Sequence, residues 1–386
     1  MGGPSDAQRR ARSWPRLQTG ALCLWAEGPQ VNALGRPIRS VVIVSDAWHP
    51  QVNGVVRSLD YTIADLRRRG LRVVIIHPGQ FRTIPCPTYP EIRLSLTTAR
   101  RMRALLAQAR ADHVHIASEG PLGVLAAAAC RKLGRVYTTS YHTRFPEYLA
   151  ARAPVPLGLS YAMLRRFHNR AGACLVATPA LQDELATRGF DTLRLWPRGV
   201  DAELFHPRQA GDVFADLPRP IWLTVARVSV EKSLSDFLGL DLPGSKVVVG
   251  DGPALATLRR RFPGAHFVGL KEGPDLARHY ASADVFVFPS RTETFGLVLL
   301  EALASGLPVA AYPVRGPLDI VTSGKDGVLS DNLEAAAKAA LALDAETCRA
   351  AALRHSWTAC TDRFLEIAQE VEDRVRFAGL PALDRD

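Results

Sequence analysis

Four charged residues in the second half of the chain have types and spacings suited to binding a phosphorylated ligand. Arg227 and Lys232 are five positions apart in ARVSVEKSL, and Glu293 and Glu301 are eight apart in RTETFGLVLLE. A guanidinium can bind two oxygens of a diphosphate and an ammonium adds a compact positive charge, whereas carboxylates accept hydrogen bonds from hydroxyl groups. Each residue alone is more easily explained as a solvated surface charge. The prediction therefore depends on the elements that place them together.

Both pairs follow apolar runs that are typical of strands buried on both faces of a parallel sheet. Helical stretches separate these runs, as expected of βαβ units. The predicted strands form two series, 40–45, 71–77, 113–117, 136–140 and 173–177, then 221–226, 246–249, 266–268, 285–288 and 309–312. The sequence therefore predicts an α/β fold of two doubly wound, Rossmann-like domains that face a central cleft at the carboxyl ends of their strands.

Proline residues mark the predicted boundary between these domains, at Pro197, Pro207, Pro218 and Pro220. Residues 1–37 contain an arginine-rich stretch and a short apolar patch, and we interpret them as a disordered tail rather than a targeting segment. The domains are predicted at 38–205 and 206–355. Residues 356–386 are predicted to form a C-terminal helix that braces the first domain.

The second domain also contributes glycine-containing turns to the predicted donor side of the cleft. The amides of Phe295, Gly296 and Leu297 open a helix and suit an anion, because free N–H groups and the helix dipole favour negative charge there. Gly250 and Gly252 lie in a GDGP turn after a strand, which either approaches a ligand or simply reverses the chain.

The first domain contributes two weaker signals. Asn53, Gly54 and Arg57 follow the strand 40–45, where a glycine at a helix start admits a ligand but is also common in plain turns. His142 follows the strand 136–140 in SYHTRFPEY, which places an imidazole at the cleft. A structural histidine is an equally good interpretation of that position.

Composition restricts the classes of protein further. The chain has 386 residues, 47% hydrophobic, and its six cysteines form no CxxC pair, which favours a reducing compartment. No apolar run approaches the roughly 18 residues of a membrane-spanning helix. Residues 38–205 carry 23 Lys/Arg and 12 Asp/Glu, a net charge of +11, whereas residues 206–386 carry 20 and 24, a net charge of −4. Because no nucleic-acid module accompanies the basic half, an anionic membrane or substrate is the expected partner.

With these residues in place, the sequence resembles the family 4 retaining glycosyltransferases of GT-B fold over residues 38–377. The resemblance implies that the pair Glu293 and Glu301 contacts the donor sugar and the nucleotide ribose, and that Arg227 and Lys232 bind the diphosphate. It also assigns Gly54 and His142 to the acceptor side and the reacting sugar. Family members often have glycines where this chain has Ala226 and Ser233, so the backbone freedom of the basic loop is expected to differ slightly.

Four segments are similar to a bacterial branch that contains GDP-mannose-dependent α-mannosyltransferases and sulfoquinovosyl or glucuronosyl diacylglycerol synthases. They are SDAWHPQVNGVVRSL, SYHTRFPEY, WPRGVDAELFHP and KVVVGDGP. The branch implies a peripheral enzyme on the inner face of the cytoplasmic membrane, with a lipid acceptor. A basic helix with Arg100, Arg101, Arg103 and Arg110 is predicted either to contact that surface or to be an ordinary amphipathic helix. The sequence leaves the oligomeric state open.

The resulting hypothesis is transfer of a hexose from a UDP-sugar, with retention, to a diacylglycerol-type lipid; GDP-mannose is the second candidate donor. No cofactor or metal is expected, because the chain has no DxD pair in the usual apolar setting and positive side chains can hold the diphosphate. The competing hypotheses are a GT-B isomerase or phosphorylase, a non-catalytic sugar-nucleotide sensor and a Rossmann dehydrogenase. A dehydrogenase is disfavoured because its glycine fingerprint is missing from both halves.

Overall fold

The computed structural model describes residues 37–51, 54–86, 89–142, 145–150, 155–211, 213–291 and 295–378. The predicted tail, residues 1–37, lies outside these ranges except for Pro37. Two six-stranded parallel sheets dominate the described part of the chain, and helices cover both faces of each. The α/β fold class predicted from the sequence is confirmed.

The elements alternate along the chain as expected of βαβ units. The strands are β1 (Ser40–Val44), β2 (Arg72–Ile76), β3 (Arg82–Cys86), β4 (Tyr89–Leu96), β5 (His113–Ile116), β6 (Thr138–Ser140), β7 (Ala173–Val176), β8 (Leu193–Leu195), β9 (Ile221–Val225), β10 (Ser245–Val249), β11 (His266–Gly269), β12 (Val285–Phe288), β13 (Val309–Ala311) and β14 (Gly327–Leu329). The helices are α1 (Gly54–Arg68), α2 (Ala99–Ala109), α3 (Pro121–Lys132), α4 (Phe145–Ala150), α5 (Leu157–His168), α6 (Pro179–Thr187), α7 (Leu234–Leu238), α8 (Leu255–Arg261), α9 (Gly273–Ala281), α10 (Leu297–Ala304), α11 (Pro317–Ile320), α12 (Leu333–Ala340), α13 (Ala345–Leu353) and α14 (Trp357–Ala378).

The first sheet has the strand order β2-β1-β5-β6-β7-β8. Alternation along β1 sends Val41 and Ile43 to one face and Val42 and Val44 to the other, and all four are fully buried. The order reverses between β1 and β5, so the carboxyl ends of these strands open a crevice.

The second sheet has the order β11-β10-β9-β12-β13-β14. Trp222 and Leu223 on β9 are buried on opposite faces, which gives this sheet two apolar layers as well. The reversal lies between β9 and β12. Arg227 and Lys232 follow β9, and α10, which contains Glu301, comes after β12.

Helix α14 packs against the first sheet although it follows the second in sequence. Phe364 and Ile367 on α14 are buried in one cluster with Val41 and Ile43 of β1. Before α14 begins, the backbone N–H of Val200 donates to the carbonyl of His355 at 3.0 Å. The returning chain therefore runs alongside the segment that first leaves the N-terminal sheet.

The ten predicted strands all occur within two residues of their predicted bounds. The sequence analysis missed β8 and β14, which have three residues each, and the antiparallel hairpin of β3 and β4. Helix α14 lies within the predicted C-terminal stretch, and a separate helix, α13, precedes that stretch.

The predicted amphipathic helix is α2, and its apolar face is turned inward. Met102 and Leu106 are fully buried in the core of the first domain, whereas Arg100, Arg101 and Arg110 are exposed. Because these apolar side chains are covered by protein, the structure favours the second of the two alternatives for α2, an ordinary amphipathic surface helix.

Candidate active site

One large cavity, of about 1570 Å³, lies between the carboxyl ends of the two sheets. Residues of both domains line it, including Gly54, Arg57 and His142 from the first and Arg227 and Lys232 from the second. Most of the predicted site residues that the structure describes therefore surround one cavity, large enough for a ligand of nucleotide-sugar size.

The basic pair stands where β9 ends. Arg227 follows the strand by two residues, and Lys232 closes a 3-10 turn, Val230–Lys232. Ser233 ends the turn in a left-handed conformation with φ of +49° and starts α7. Both basic side chains are half-buried and line the cavity. This loop directs two positive charges toward one volume.

The glycine-containing turn after β10 packs against the loop that carries Arg227 and Lys232. The N–H of Val228 donates to the carbonyl of Asp251 at 2.9 Å, so the two loops are hydrogen-bonded to each other. A Cβ atom at Gly250 would lie 1.9 Å from the carbonyl oxygen of Ala226, and one at Gly252 would lie 2.5 Å from that of Val228. Gly250 and Gly252 line the cavity as predicted, but their glycine identity is explained by this backbone contact.

The start of α10 forms the facing wall. Gly296 has φ of +93° and precedes the first helical residue, Leu297, so the first N–H groups of the helix, for which the helix itself offers no acceptor, lie on the cavity side. Phe295, which also lines the cavity, is itself buried. Gly54 begins α1 on the opposite side, where an added Cβ atom would be 3.8 Å from Cδ1 of Leu297. Two helix N-termini thus meet across the cleft.

Glu301 lies one turn further along α10 and joins the two domains. Its Oε1 accepts from Nη1 of Arg57 at 2.7 Å, and its Oε2 accepts from the hydroxyl of Tyr280 at 2.9 Å. The Glu301 side chain is 8% exposed, and the adjacent carboxylate raises the pKa of Arg57. Each carboxylate oxygen keeps a second lone pair. Glu301 lines a small pocket together with Arg57 and Leu297, both of which also line the large cavity.

Two predicted site residues, Asn53 and Glu293, lie outside the described residues. Their predicted roles as acceptor and donor contacts stay predictions.

His142 lies at the end of β6 and contacts a residue that the sequence analysis missed. Its Nδ1 accepts a hydrogen bond from Nη2 of Arg198 at 3.0 Å. Burial, the Arg198 charge and the neighbouring rings of His115 and His168 lower the pKa of His142 well below its ordinary value. The ring is therefore neutral at physiological pH.

Other polar residues on the first-domain wall also went unpredicted, among them Asp46, Ser118 and Glu119. Asp46 accepts from the N–H groups of Leu122 and Gly123 at the start of α3, so it mainly fixes this loop. They follow β1 and β5, and their positions at the ends of apolar runs could have identified them.

Glu119 is held by a buried histidine. Nε2 of His168 lies 3.1 Å from Oε1 of Glu119, and its Nδ1 lies 2.9 Å from the Thr139 hydroxyl. Burial opposes charge on this ring, yet Cys174 and Glu119 beside it raise the pKa of His168 to about 10. A charged imidazole thus orients Glu119 at the edge of the cavity.

Two kinds of feature are absent from the described ranges. No group of three or more His, Cys, Asp or Glu residues there is arranged to hold a metal ion. None of the described helices is both long and apolar enough to span a membrane.

Comparison with known proteins places both halves of this architecture in one class. Residues 52–204 match the family model described as Glycosyltransferase Family 4, and residues 244–345 match the model described as Glycosyl transferases group 1. The fold is similar to that of Anabaena HepE, crystallised with UDP and glucose, with a TM-score of 0.65 at 16% identity, covering 85% of this chain and 98% of that one.

Curated relatives extend over most of the described chain. A GDP-mannose-dependent alpha-mannosyltransferase of Mycobacterium tuberculosis is 34% identical over 75% of this chain and 83% of its own length. The sulfoquinovosyl transferase SQD2 of Arabidopsis thaliana is 32% identical over 77% of this chain, but the match spans only 64% of that protein. An alpha-monoglucosyldiacylglycerol synthase of Acholeplasma laidlawii is 25% identical over 76% of this chain and 85% of its own length.

Proposed function

Because the chain belongs to family 4 of the GT-B glycosyltransferases, we propose that it transfers a hexose from a nucleotide-diphosphate sugar to a membrane lipid with retention at the anomeric carbon. The use of a sugar donor for glycosyl transfer is the property that members of the family share. The lipid acceptor, the stereochemical course and the residue roles are the parts proposed here.

The observation that carries the proposal is the convergence of positive groups on one cavity wall. Arg227 and Lys232 leave the end of β9, and the first amides of α10 begin at Gly296 beside them. A diphosphate placed between them would be bound by two full charges and a helix N-terminus. Such an arrangement stabilises the negative charge that builds up as the diphosphate leaves.

The reaction requires little further chemistry from the protein. The bond between the anomeric carbon and the diphosphate oxygen breaks, and a bond from that carbon to the acceptor oxygen forms on the same face of the sugar. The acceptor proton passes to the departing phosphate oxygen. In this scheme His142 and Glu293 bind sugar hydroxyls and Glu301 accepts from the ribose, while Gly54, Asn53 and Arg57 form the acceptor side.

Exposed apolar side chains on one side of the cavity are evidence for a lipid acceptor. Four large apolar side chains line the first-domain side of the cavity and are nevertheless exposed, namely Leu96 at 54%, Val124 at 52%, Phe145 at 49% and Met163 at 66%. We call this set the apolar rim. Leu159, one helical turn before Met163 on α5, is 56% exposed and extends the rim along that face of the helix. Exposed apolar side chains that line one side of a cavity are typical of a lipid or protein contact.

The positive charge of the first domain also supports an orientation with the apolar rim toward a membrane. Arg165 and Arg166 are exposed near the end of α5, on the domain that carries the basic surplus. Lys and Arg side chains near an anionic leaflet contribute roughly 1 kcal/mol each. We therefore propose a peripheral location on the inner face of the cytoplasmic membrane, with the apolar rim toward the lipid. The synthase relative, whose name includes diacylglycerol, is consistent with such an acceptor.

We also propose that transfer needs no divalent metal, since the positive side chains and the α10 amides can carry the diphosphate alone. Transfer that continues in excess EDTA would agree with this, whereas loss of transfer that Mg²⁺ restores would contradict it.

The test of function is transfer from labelled UDP-glucose, UDP-glucuronate and GDP-mannose to anionic vesicles that contain diacylglycerol. Label should enter the organic phase from one of the UDP-sugars. If only GDP-mannose supports transfer, a UDP-sugar is not the donor and the protein is a mannosyltransferase. If a sugar nucleotide binds but no acceptor is glycosylated, the protein is a sensor rather than an enzyme.

The site assignment needs its own variant and control. Lys232→Ala should lower kcat by a factor of roughly 100 or more, because it removes a charge that acts on the leaving group. Lys325→Ala removes an exposed lysine of the same domain and should leave kcat unchanged. Near-normal transfer by Lys232→Ala would reject the diphosphate site.

A further inference from the structure

A buried arginine lies beside the cleft histidine on the wall of the same cavity and has no acidic partner among the described residues. Arg198 follows β8 and is 4% exposed, and no Asp or Glu forms an ion pair with it in the described part of the chain. Burying an unpaired guanidinium is costly, so a compensating role is expected.

The surroundings of Arg198 hold its guanidinium in one orientation. Its Nη1 donates to the carbonyls of Trp196 and Pro197 at 2.7 and 3.1 Å, and its Cζ lies 4.1 Å from the centre of the Trp196 ring. The Trp196 indole is itself fixed, since its Nε1 donates to the carbonyl of Cys360 on α14 at 3.0 Å. The second terminal nitrogen, Nη2, is thereby directed at His142.

This contact determines the state of the imidazole. A guanidinium has only N–H donors and accepts no hydrogen bond. Nδ1 of His142, 3.0 Å from Nη2, must therefore present its lone pair. A neutral imidazole then carries its single N–H on Nε2.

We propose that Arg198 is a positioning residue that locks His142 in the Nε2–H tautomer, so that the ring acts in the cavity only as a hydrogen-bond donor. The inference rests on the proposed function insofar as His142 contacts the transferred sugar. Its substrate contact is then an oxygen acceptor, either a sugar hydroxyl or an anionic sugar substituent. His142 cannot take the acceptor proton through Nδ1, which leaves that proton to the departing phosphate oxygen.

The environment of the ring acts in the same direction. Burial lowers the pKa of His142 most, and Arg198, His115 and His168 lower it further. Burial lowers the pKa of Arg198 itself to about 10, which leaves the guanidinium charged at neutral pH. At neutral pH the guanidinium of Arg198 therefore stays charged and the imidazole of His142 stays neutral.

The direct test is nitrogen NMR of protein labelled with ¹⁵N-histidine, at neutral pH and without substrate. His142→Gln identifies the His142 signals by difference. In the unaltered protein Nδ1 should have the shift of an unprotonated nitrogen and Nε2 that of a protonated one. A proton on Nδ1 of the unaltered protein would overturn the proposal, whatever the variants do.

Two substitutions separate positioning from packing. Arg198→Lys keeps a charged donor and should retain the Nε2–H tautomer, whereas Arg198→Met should populate the Nδ1–H form. An unchanged tautomer in folded Arg198→Met would overturn the proposal. If Arg198→Met does not fold, the spectra of the unaltered protein and of Arg198→Lys still decide, because a shift to Nδ1–H in Arg198→Lys would also contradict it.

Kinetics then distinguish this inference from the proposed function. Arg198→Met should lower kcat/KM roughly tenfold or more, and the loss should largely disappear when His142→Gln is also present, because both changes remove one interaction. An equal loss in both backgrounds would mean that Arg198 does not act through His142. Absence of transfer in the unaltered protein would reject the function and leave the tautomer result standing.

Discussion

Gly250→Ala is expected to inactivate the donor site without touching a ligand. The added Cβ would lie 1.9 Å from the carbonyl oxygen of Ala226, although Cβ atoms essentially never approach other atoms within 3.0 Å. Either the turn or the loop after β9 must therefore move by about 1.1 Å at least. The φ of Gly250, +141°, adds strain for any side chain. Because Arg227 directly follows Ala226, the displacement is transmitted to the diphosphate site.

A misplacement of about 1 Å in a catalytic constellation can lower the rate roughly 100-fold. We therefore expect kcat/KM of Gly250→Ala to fall by about two orders of magnitude. Thermal-shift titration with UDP and GDP should show weakened nucleotide binding in the same variant, because a ligand that binds less tightly stabilises less.

The matched control is Gly264→Ala. An added Cβ there meets nothing within 4 Å, and Gly264 has no positive φ. Activity and melting temperature should match those of the unaltered protein. If folded Gly250→Ala keeps kcat/KM within twofold of this control, the argument that the GDGP turn positions the basic loop is refuted.

Three other predictions concern the cleft and its walls. Arg57→Met should lower the free energy of unfolding by about 3 kcal/mol, since it leaves the buried carboxylate of Glu301 without its cation; a loss below about 0.5 kcal/mol in denaturant titration would mark an ordinary surface pair. Met163→Glu should weaken vesicle binding tenfold or more in flotation assays, because an inserted apolar side chain contributes about 1.5–3 kcal/mol. Leu353→Glu changes an exposed apolar residue on α13 and should not weaken vesicle binding. Equal losses of binding in the two variants would contradict the role of the apolar rim. His168 has a pKa raised from 6.5 to about 10, so its stabilisation should be complete below pH 6.5 and decline as the pH rises toward 10; a stability difference from His168→Asn that stays constant with pH would contradict this.

The parallel sheets were predictable because their strands are short apolar runs that helices must cover on both faces. Strand β12, residues 285–288, was predicted at its observed bounds because all four of its residues are apolar and turns flank it. Strand β8 was not, since LRL has the length and composition of a turn entry and becomes a strand only by pairing with β7. The hairpin of β3 and β4 was missed because Pro85 and Pro90 weaken its β signal.

The site was predictable to the extent that strand ends identify it. Arg227 and Lys232 were identifiable as a basic pair after an apolar run. The partner of Glu301 was not, because Arg57 is 244 positions away in sequence and only the closed cleft brings them together. Arg198 was missed for the same reason, since its contact with His142 spans 56 positions. For helix α2 the sequence left two alternatives open, because periodicity gives an apolar face but not whether protein or lipid covers it.

The C-terminal helix connects the fold to the chemistry of the cleft. Helix α14 packs on the face of the first sheet that contains Ile43. The carbonyl of Cys360 on α14 accepts a hydrogen bond from Nε1 of Trp196. Trp196 in turn supports the guanidinium that faces His142. A change at the α14 interface therefore alters the orientation of Arg198 before it alters any residue that lines the donor wall. Such a change should impair the first-domain side of the site while nucleotide binding at Arg227 and Lys232 persists, which makes α14 part of the support of the active site as well as part of the core.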